Sequence, residues 1–160
     1  MSRVLVACVG NLFLGDDGFG PEVARALLER GGAPDVEVRD FGIRAMDLWF
    51  ALEKTERAVV VDVVRRGAAP GTLFVLEPEA GDSSMETLHP HDATAAHVLR
   101  WAADQRAKGG CPRALRLVGC EAESFGDDEG RLGLSEPVTR ALERAADLVL
   151  EVARELGGSA

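Results

Sequence analysis

The feature that most constrains the fold is an unbroken β-branched run in the middle of the chain, AVVVDVV over residues 58–64. Such a run is typical of a strand that is buried on both faces of a parallel sheet. Its one charged residue, Asp62, lies near the C-terminal end, where a carboxylate is costly unless it is paired, ligated or at an open strand end. The run therefore predicts a parallel sheet and makes Asp62 a candidate functional residue.

Shorter apolar runs and amphipathic segments alternate around this strand. We predict strands over 4–8, 36–40, 58–64, 72–76 and 114–120, and helices over 22–30, 45–53, 91–106 and 136–156. This order predicts an α/β fold with a central, mostly parallel sheet of about five strands covered by helices on both faces. The link from Asp62 to Thr72 is too short for a crossover helix, so we expect a hairpin that places one antiparallel strand in the sheet.

Composition and charge exclude several classes of protein. The 160 residues are enough for one domain, 1–160. A net charge of −9 argues against a nucleic-acid partner. No apolar run approaches the roughly 20 residues of a membrane span, and no leader precedes the first strand. The three cysteines are odd in number and widely spaced, unlike a zinc site or a disulfide framework. We therefore expect a cytoplasmic, monomeric protein with reduced thiols.

A glycine-rich acidic loop, VGNLFLGDDGFGP over residues 9–21, follows the first strand. A P-loop would end in Gly-Lys-Ser/Thr, and the dinucleotide fingerprint has a different glycine spacing, so neither type of phosphate cradle fits. Two adjacent carboxylates, Asp16 and Asp17, suit a cation better. Alternatively, they are solvated turn residues near a helix N-terminus, where negative charge is favourable. The loop alone leaves both interpretations open.

Candidate ligands are expected to meet at one edge of the sheet, because ligands of open α/β sheets bind outside the carboxyl ends of the strands. The acidic pair follows one strand, Asp62 ends another, and His91 precedes a helix. Two carboxylates and one imidazole suit a borderline divalent transition metal. Each residue alone is weak evidence: His91 is also compatible with a cap or a surface group, His89 is an alternative to it, and His97 is expected to pack.

Four motifs in chain order resemble the hydrogenase maturation endopeptidases: the glycine-rich acidic loop, VVVD ending at Asp62, the pair Pro90–His91, and LVGCE followed by GLSEPV. The resemblance runs along nearly the whole chain. It implies a three-layer α/β/α sandwich. It also implies an endopeptidase that removes a C-terminal extension from the large-subunit precursor of a nickel–iron hydrogenase after nickel insertion. That precursor is the implied partner.

The same resemblance implies the site residues. The family's first metal-binding acid corresponds to Asp17, its second acid to Asp62 and its histidine to His91, and these residues are implied to be both catalytic and metal-contacting. The nickel is implied to be carried by the precursor, and no organic cofactor is implied. Relatives often have Asp-Gly-Gly after the second strand, whereas this chain has DFG over residues 40–42. The difference bears on substrate choice, because this loop borders the crevice.

Two other classes of protein stay open at this point. A receiver-type signalling domain also has an acidic pair after its first strand, but it needs a lysine after its last strand, where this chain has Gly119–Cys120–Glu121. A non-catalytic metal-binding or chaperone module on the same fold is the other. The zincin motif H-E-x-x-H is absent from the sequence. Cys8 and Cys120 fall in predicted strands, where we expect small buried hydrophobic residues rather than nucleophiles.

Overall fold

The computed structural model describes residues 3–81, 93–127 and 129–158. Within these ranges, the chain forms five strands and four α-helices in the predicted order. The strands are β1 (Val4–Val9), β2 (Val36–Gly42), β3 (Arg57–Val64), β4 (Leu73–Leu76) and β5 (Ala114–Glu121). The helices are α1 (Phe19–Glu29), α2 (Ala45–Glu53), α3 (Ala93–Ala107) and α4 (Glu136–Gly158). A 3-10 turn over Gly15–Gly18 leads from the acidic loop into α1.

The five strands form one sheet in the order β2-β1-β3-β5-β4. β1 pairs in parallel with β2 on one side and with β3 on the other. The chain therefore winds in one direction from β1 to β2 and in the other direction from β2 to β3. The carboxyl ends of β1 and β3 meet at this change of direction, which is where open α/β sheets bind their ligands.

The predicted hairpin between β3 and β4 is wrong, although the predicted antiparallel strand is present. β5 lies next to β3 and pairs with it in parallel from Arg57↔Ala114 to Val64↔Glu121. β4 pairs with the far side of β5 and is antiparallel to it. The link from β3 to β4 thus passes the end of β5, a distance of about 10 Å for two strand spacings. A link of this length spans that distance easily, so its shortness does not require a hairpin.

Helices cover both faces of the sheet, as the expected three-layer sandwich requires. On β1, Val4, Val6 and Cys8 pack in the cluster that includes α1 and α4 residues. The alternate residues Leu5, Ala7 and Val9 pack in the cluster that includes α2 and α3 residues. Side chains of a strand alternate between faces, and both sets here are buried, which explains why the strands are nearly continuous apolar runs.

The amphipathic pattern of the helices matches these two layers. α4 buries one stripe of small and β-branched residues along its length: Val138, Ala141, Ala145, Ala146, Val149, Val152, Ala153 and Leu156. Residues spaced three and four apart lie on the same side of a helix, so this stripe faces the sheet. Among the described helices, none is long and apolar enough to cross a membrane.

Candidate active site at the ends of strands β1 and β3

Asp17 lies in the 3-10 turn that follows β1, and it is 6% exposed. The backbone N–H of Asn11 donates to Oδ2 of Asp17 at 3.1 Å. The backbone N–H of Asp17 donates to the carbonyl oxygen of Leu14, also at 3.1 Å, which closes the turn. Because Asp16 is 0% exposed as well, the interpretation of this pair as solvated turn residues is wrong.

Two glycines show that the acidic loop is tightly packed against the sheet. Gly10 has a φ of +145°, and a β-carbon at this position would lie 1.9 Å from the carbonyl oxygen of Asp17. A β-carbon at Gly20 would lie 2.1 Å from the carbonyl oxygen of Val9 and 2.8 Å from that of Val61. Only glycine permits such an approach of backbone to backbone. The loop is therefore held against the ends of both β1 and β3.

Asp62 is 1% exposed and lies two residues before the end of β3. Its Oδ1 accepts a hydrogen bond of 2.7 Å from the backbone N–H of Val63. By strand alternation Asp62 belongs to the same face as Val60 and Val64, which pack in the cluster that includes α2 and α3 residues. Asp62 thus lies near the end of β3 and Asp17 follows β1, as the sequence predicted, and both carboxylates are buried.

The third predicted ligand, His91, and its alternative, His89, lie outside the described residues. The helix that follows them, α3, begins at Ala93 and packs on the face of the sheet to which Asp62 belongs. His97 was expected to be a packing residue, and this prediction is wrong, because His97 is exposed. It lines a surface groove between α2 and α3 together with apolar side chains that include Met46, Trp49 and Trp101.

A third carboxylate, Asp40, stands at the end of β2 opposite Cys8 of β1. Burial raises the pKa of the Cys8 thiol, and the charges of Asp40 and then Asp62 raise that pKa further. Carboxylates on both strands next to β1 therefore act on the pKa of the same cysteine. In the part of the chain that the structure describes, no three His, Cys, Asp or Glu side chains are grouped closely enough to hold a metal ion.

Residues 40–42, where the sequence departs from the family pattern, are ordered by local contacts. Phe41 is 1% exposed and packs in the cluster on the α2 face. The N–H of Gly42 donates to Oδ1 of Asp40 at 2.8 Å, and the N–H of Gly10 donates to the carbonyl oxygen of Gly42 at 3.0 Å. This segment therefore borders the acidic loop, and its phenylalanine is part of the core.

Two of the three thiols, those of Cys8 and Cys120, are poor nucleophiles, as the sequence led us to expect. Cys8 and Cys120 are both 0% exposed. Burial, followed by the charges of Asp16 and Glu121, raises the pKa of Cys120 to about 12. A thiol needs a lowered pKa and access to solvent to act as a nucleophile. Neither of these two buried thiols is therefore a candidate nucleophile.

Sequence reasoning did not identify the structural roles of two other buried acids, Asp16 and Glu121. The Asp16 carboxylate accepts hydrogen bonds from donors in the segment that follows β5. Glu121 accepts hydrogen bonds from the N–H groups of Arg66 and Ala68 in the β3–β4 link. No local pattern identifies either role, because every donor is far away in the sequence.

Comparison with known proteins gives a consistent result. The family model described as hydrogenase maturation protease (HycI) matches residues 21–152. The hydrogenase 2 maturation protease of Escherichia coli (strain K12) is 34% identical over 158 residues, which cover 97% of this chain and 93% of that protein.

Solved structures agree in fold. The hydrogenase maturating endopeptidase HybD from E. coli superposes with a TM-score of 0.75 at 29% identity and covers 96% of this chain and 93% of its own. The hydrogenase 2 maturation peptidase from a Thaumarchaeota archaeon has a TM-score of 0.66 at 36% identity, with 94% of this chain and 97% of that chain covered. The likeness in sequence and in fold thus extends over nearly the full length of each chain.

Proposed function

Since the chain belongs to the hydrogenase maturation protease family, we propose that it removes the C-terminal extension of a nickel–iron hydrogenase large-subunit precursor after nickel insertion. We further propose that Asp17, Asp62 and His91 contact the nickel that the precursor carries. The family supports the endopeptidase activity and the hydrogenase precursor as substrate. The role of the nickel and of these three side chains is our own inference.

The observation that carries this proposal is the burial of Asp17 and Asp62 at the carboxyl ends of β1 and β3. Burying a carboxylate is costly, and coordination of a cation is one way to compensate that cost. The packed glycines of the acidic loop support the same view, because they keep Asp17 in place before any substrate arrives. Such preorganisation is typical of a site that acts on a ligand.

Two carboxylates and an imidazole form a mixed oxygen and nitrogen ligand set, which suits a borderline divalent ion such as nickel. In the proposed complex, Asp17 and Asp62 donate oxygen ligands, and His91 donates a nitrogen. The precursor's own ligands complete the coordination sphere. A metal ion in this position polarises a nearby carbonyl group and activates water, and both effects favour hydrolysis of a peptide bond. Recognition of nickel would thereby couple cleavage to metal insertion.

The setting of the reaction follows from the same proposal. We propose that the chain acts as a monomeric, single-domain enzyme in the cytoplasm. Its cysteines are free thiols, Cys8, Cys111 and Cys120, which supports a reducing compartment.

The decisive experiment compares one precursor with and without nickel against a single enzyme preparation. Cleavage of only the nickel-loaded form is expected. Asp17→Asn and Asp62→Asn should each abolish cleavage while leaving the circular dichroism spectrum unchanged, because the amide keeps the shape of the side chain and loses the ionised ligand. Asp35→Asn is the matched control, since Asp35 is exposed and lies before β2, at the amino-terminal ends of the parallel strands.

Each result has a distinct meaning. Equal cleavage of the two precursor forms would refute the recognition of nickel and leave the endopeptidase activity standing. Absence of cleavage by the wild-type enzyme, with the nickel-loaded precursor still bound, would favour the non-catalytic binding module. Full activity of Asp17→Asn and Asp62→Asn would remove both carboxylates from the site.

A further inference from the structure

Asp16 is a fully buried carboxylate that the proposed chemistry does not use. Its Oδ1 accepts a hydrogen bond of 2.7 Å from the backbone N–H of Ser135. Its Oδ2 accepts three more: from the Ser135 hydroxyl at 2.8 Å, from the N–H of Glu123 at 2.8 Å and from the N–H of Ser124 at 3.0 Å. Hydrogen bonds to an ionised acceptor are the stronger kind, so these four donors make a firm attachment.

Backbone hydrogen bonds join the same two segments. The N–H of Asp16 donates to the carbonyl oxygen of Ser124 at 2.9 Å. The N–H of Gly15 donates to the carbonyl oxygen of Arg131, and the N–H of Arg131 donates to that of Phe13, both at 2.8 Å. The 3-10 turn is thus attached by both its backbone and a side chain to the segment between β5 and α4.

Asp17 depends on this attachment because it occupies the next position in the same short turn. Two hydrogen bonds of Asp17, with Asn11 and Leu14, join it to the acidic loop itself. The four donors to Asp16 come from residues more than 100 positions away in sequence. These hydrogen bonds therefore anchor the turn to a part of the chain outside the acidic loop.

We propose that Asp16 is a positioning residue, whose buried carboxylate fixes the turn that carries Asp17 to the segment after β5. The importance of this placement for cleavage rests on the proposed function, whereas the placement itself does not. The two neighbouring aspartates therefore have different proposed roles. Asp17 contacts the nickel of the precursor, and Asp16 holds the turn that carries Asp17 in place. Glu121 provides a useful comparison, because it is also a buried carboxylate that accepts backbone N–H groups, but it holds the β3–β4 link.

The first test measures placement without using enzymatic activity. Asp16→Asn replaces an acceptor oxygen by an NH2 group that must face an N–H donor, and Ser135→Ala removes only the hydroxyl donor. Amide hydrogen exchange is then measured at Asn11, whose N–H donates to Asp17, and at Val60 in the core strand β3. We expect the ratio of the Asn11 rate to the Val60 rate to rise on the order of tenfold in Asp16→Asn and less in Ser135→Ala. Glu121→Gln should leave this ratio unchanged even if it lowers global stability.

The second test measures cleavage of the nickel-loaded precursor by the same variants. We expect kcat to fall about 10- to 100-fold in Asp16→Asn, the range typical when a supporting residue behind a metal ligand is lost. KM should change less, because the precursor surface is untouched. Glu121→Gln should retain kcat within about twofold of wild type, which separates positioning from a general loss of stability.

Two outcomes would overturn the inference. One is an unchanged Asn11-to-Val60 exchange ratio in Asp16→Asn, and the other is a raised ratio with full cleavage activity. Full activity of Asp17→Asn would instead overturn the proposed function, and the exchange ratio would still decide whether Asp16 places the turn.

Discussion

Helix α1 begins in direct backbone contact with strand β1, since a β-carbon at Gly20 would lie 2.1 Å from the carbonyl oxygen of Val9. The nearest atom on β3, the carbonyl oxygen of Val61, would be 2.8 Å away. Both distances are far below van der Waals contact, so no side chain of any size fits. The start of the helix, and with it the C-terminal end of the acidic loop, can lie this close to the sheet only because this residue has no side chain.

Gly20→Ala should therefore destabilise the protein and impair cleavage. The added methyl group must push α1 away from β1 and β3, which we expect to cost about 1–3 kcal/mol of unfolding free energy. Gly157→Ala is the control, because its β-carbon would meet only Val4 Cγ2, at 3.5 Å. Urea unfolding should show this control to be neutral or more stable by up to about 1 kcal/mol. Equal stability of the two variants would contradict the close packing at Gly20.

The buried thiols should resist alkylation in the native state. Cys111 is partly exposed, whereas Cys8 and Cys120 are fully buried. Treatment with N-ethylmaleimide followed by peptide mass spectrometry should label Cys111 first, and the other two on the order of 100-fold more slowly unless denaturant is added.

Replacement of the cysteines tests the same burial through activity. Cys8→Ala, Cys111→Ala and Cys120→Ala should each retain cleavage, because Cys8 and Cys120 are buried and the proposed mechanism uses no thiol. Complete inactivation by one of the three substitutions, in a protein that remains folded, would overturn the metal-centred mechanism.

Alkaline conditions should weaken the fold through Cys120. Its pKa is raised from 9.0 to about 12 in the native protein, mainly by burial. Above pH 9 the unfolded chain therefore loses this proton while the native protein keeps it, so stability that is fully present below pH 9 falls as the pH rises. Between pH 8 and pH 10 we expect this thiol to account for about 1 kcal/mol of the loss. Urea unfolding at the two pH values should show a smaller drop for Cys120→Ala than for wild type, and an equal drop would refute the linkage.

Phe41, at the departure from the family pattern, should matter for stability. It is 1% exposed, and truncation to alanine should cost about 3–5 kcal/mol of unfolding free energy because a cavity is left in the core. Phe50 on α2 is 52% exposed and serves as the control. Phe50→Ala should change stability by less than about 1 kcal/mol, because most of that side chain already contacts water. A cost for Phe41→Ala as small as that of the control would show that Phe41 does not contribute to the core.

Local patterns in the sequence were sufficient for the type and order of the elements. The run over residues 58–64 identified a strand buried on both faces, and β3 spans Arg57–Val64. The predicted bounds of α2 are those observed, Ala45–Glu53. These predictions succeed because the alternation of strands and the 3.6-residue period of helices are properties of neighbouring residues. The candidate acids Asp17 and Asp62 were found for a related reason, since the strands that precede or contain them end at the same edge of a parallel sheet.

Tertiary structure alone decided the features that depend on distant partners. β4 pairs with β5 because β5 occupies the position beside β3 in the sheet. No short-range pattern in the sequence specifies that choice. His97 is exposed because it lies at the surface groove between α2 and α3. The different roles of Asp16 and Asp17 have the same origin. The two residues are identical and adjacent in the sequence, and only the fold brings the N–H groups of Glu123, Ser124 and Ser135 to one of them.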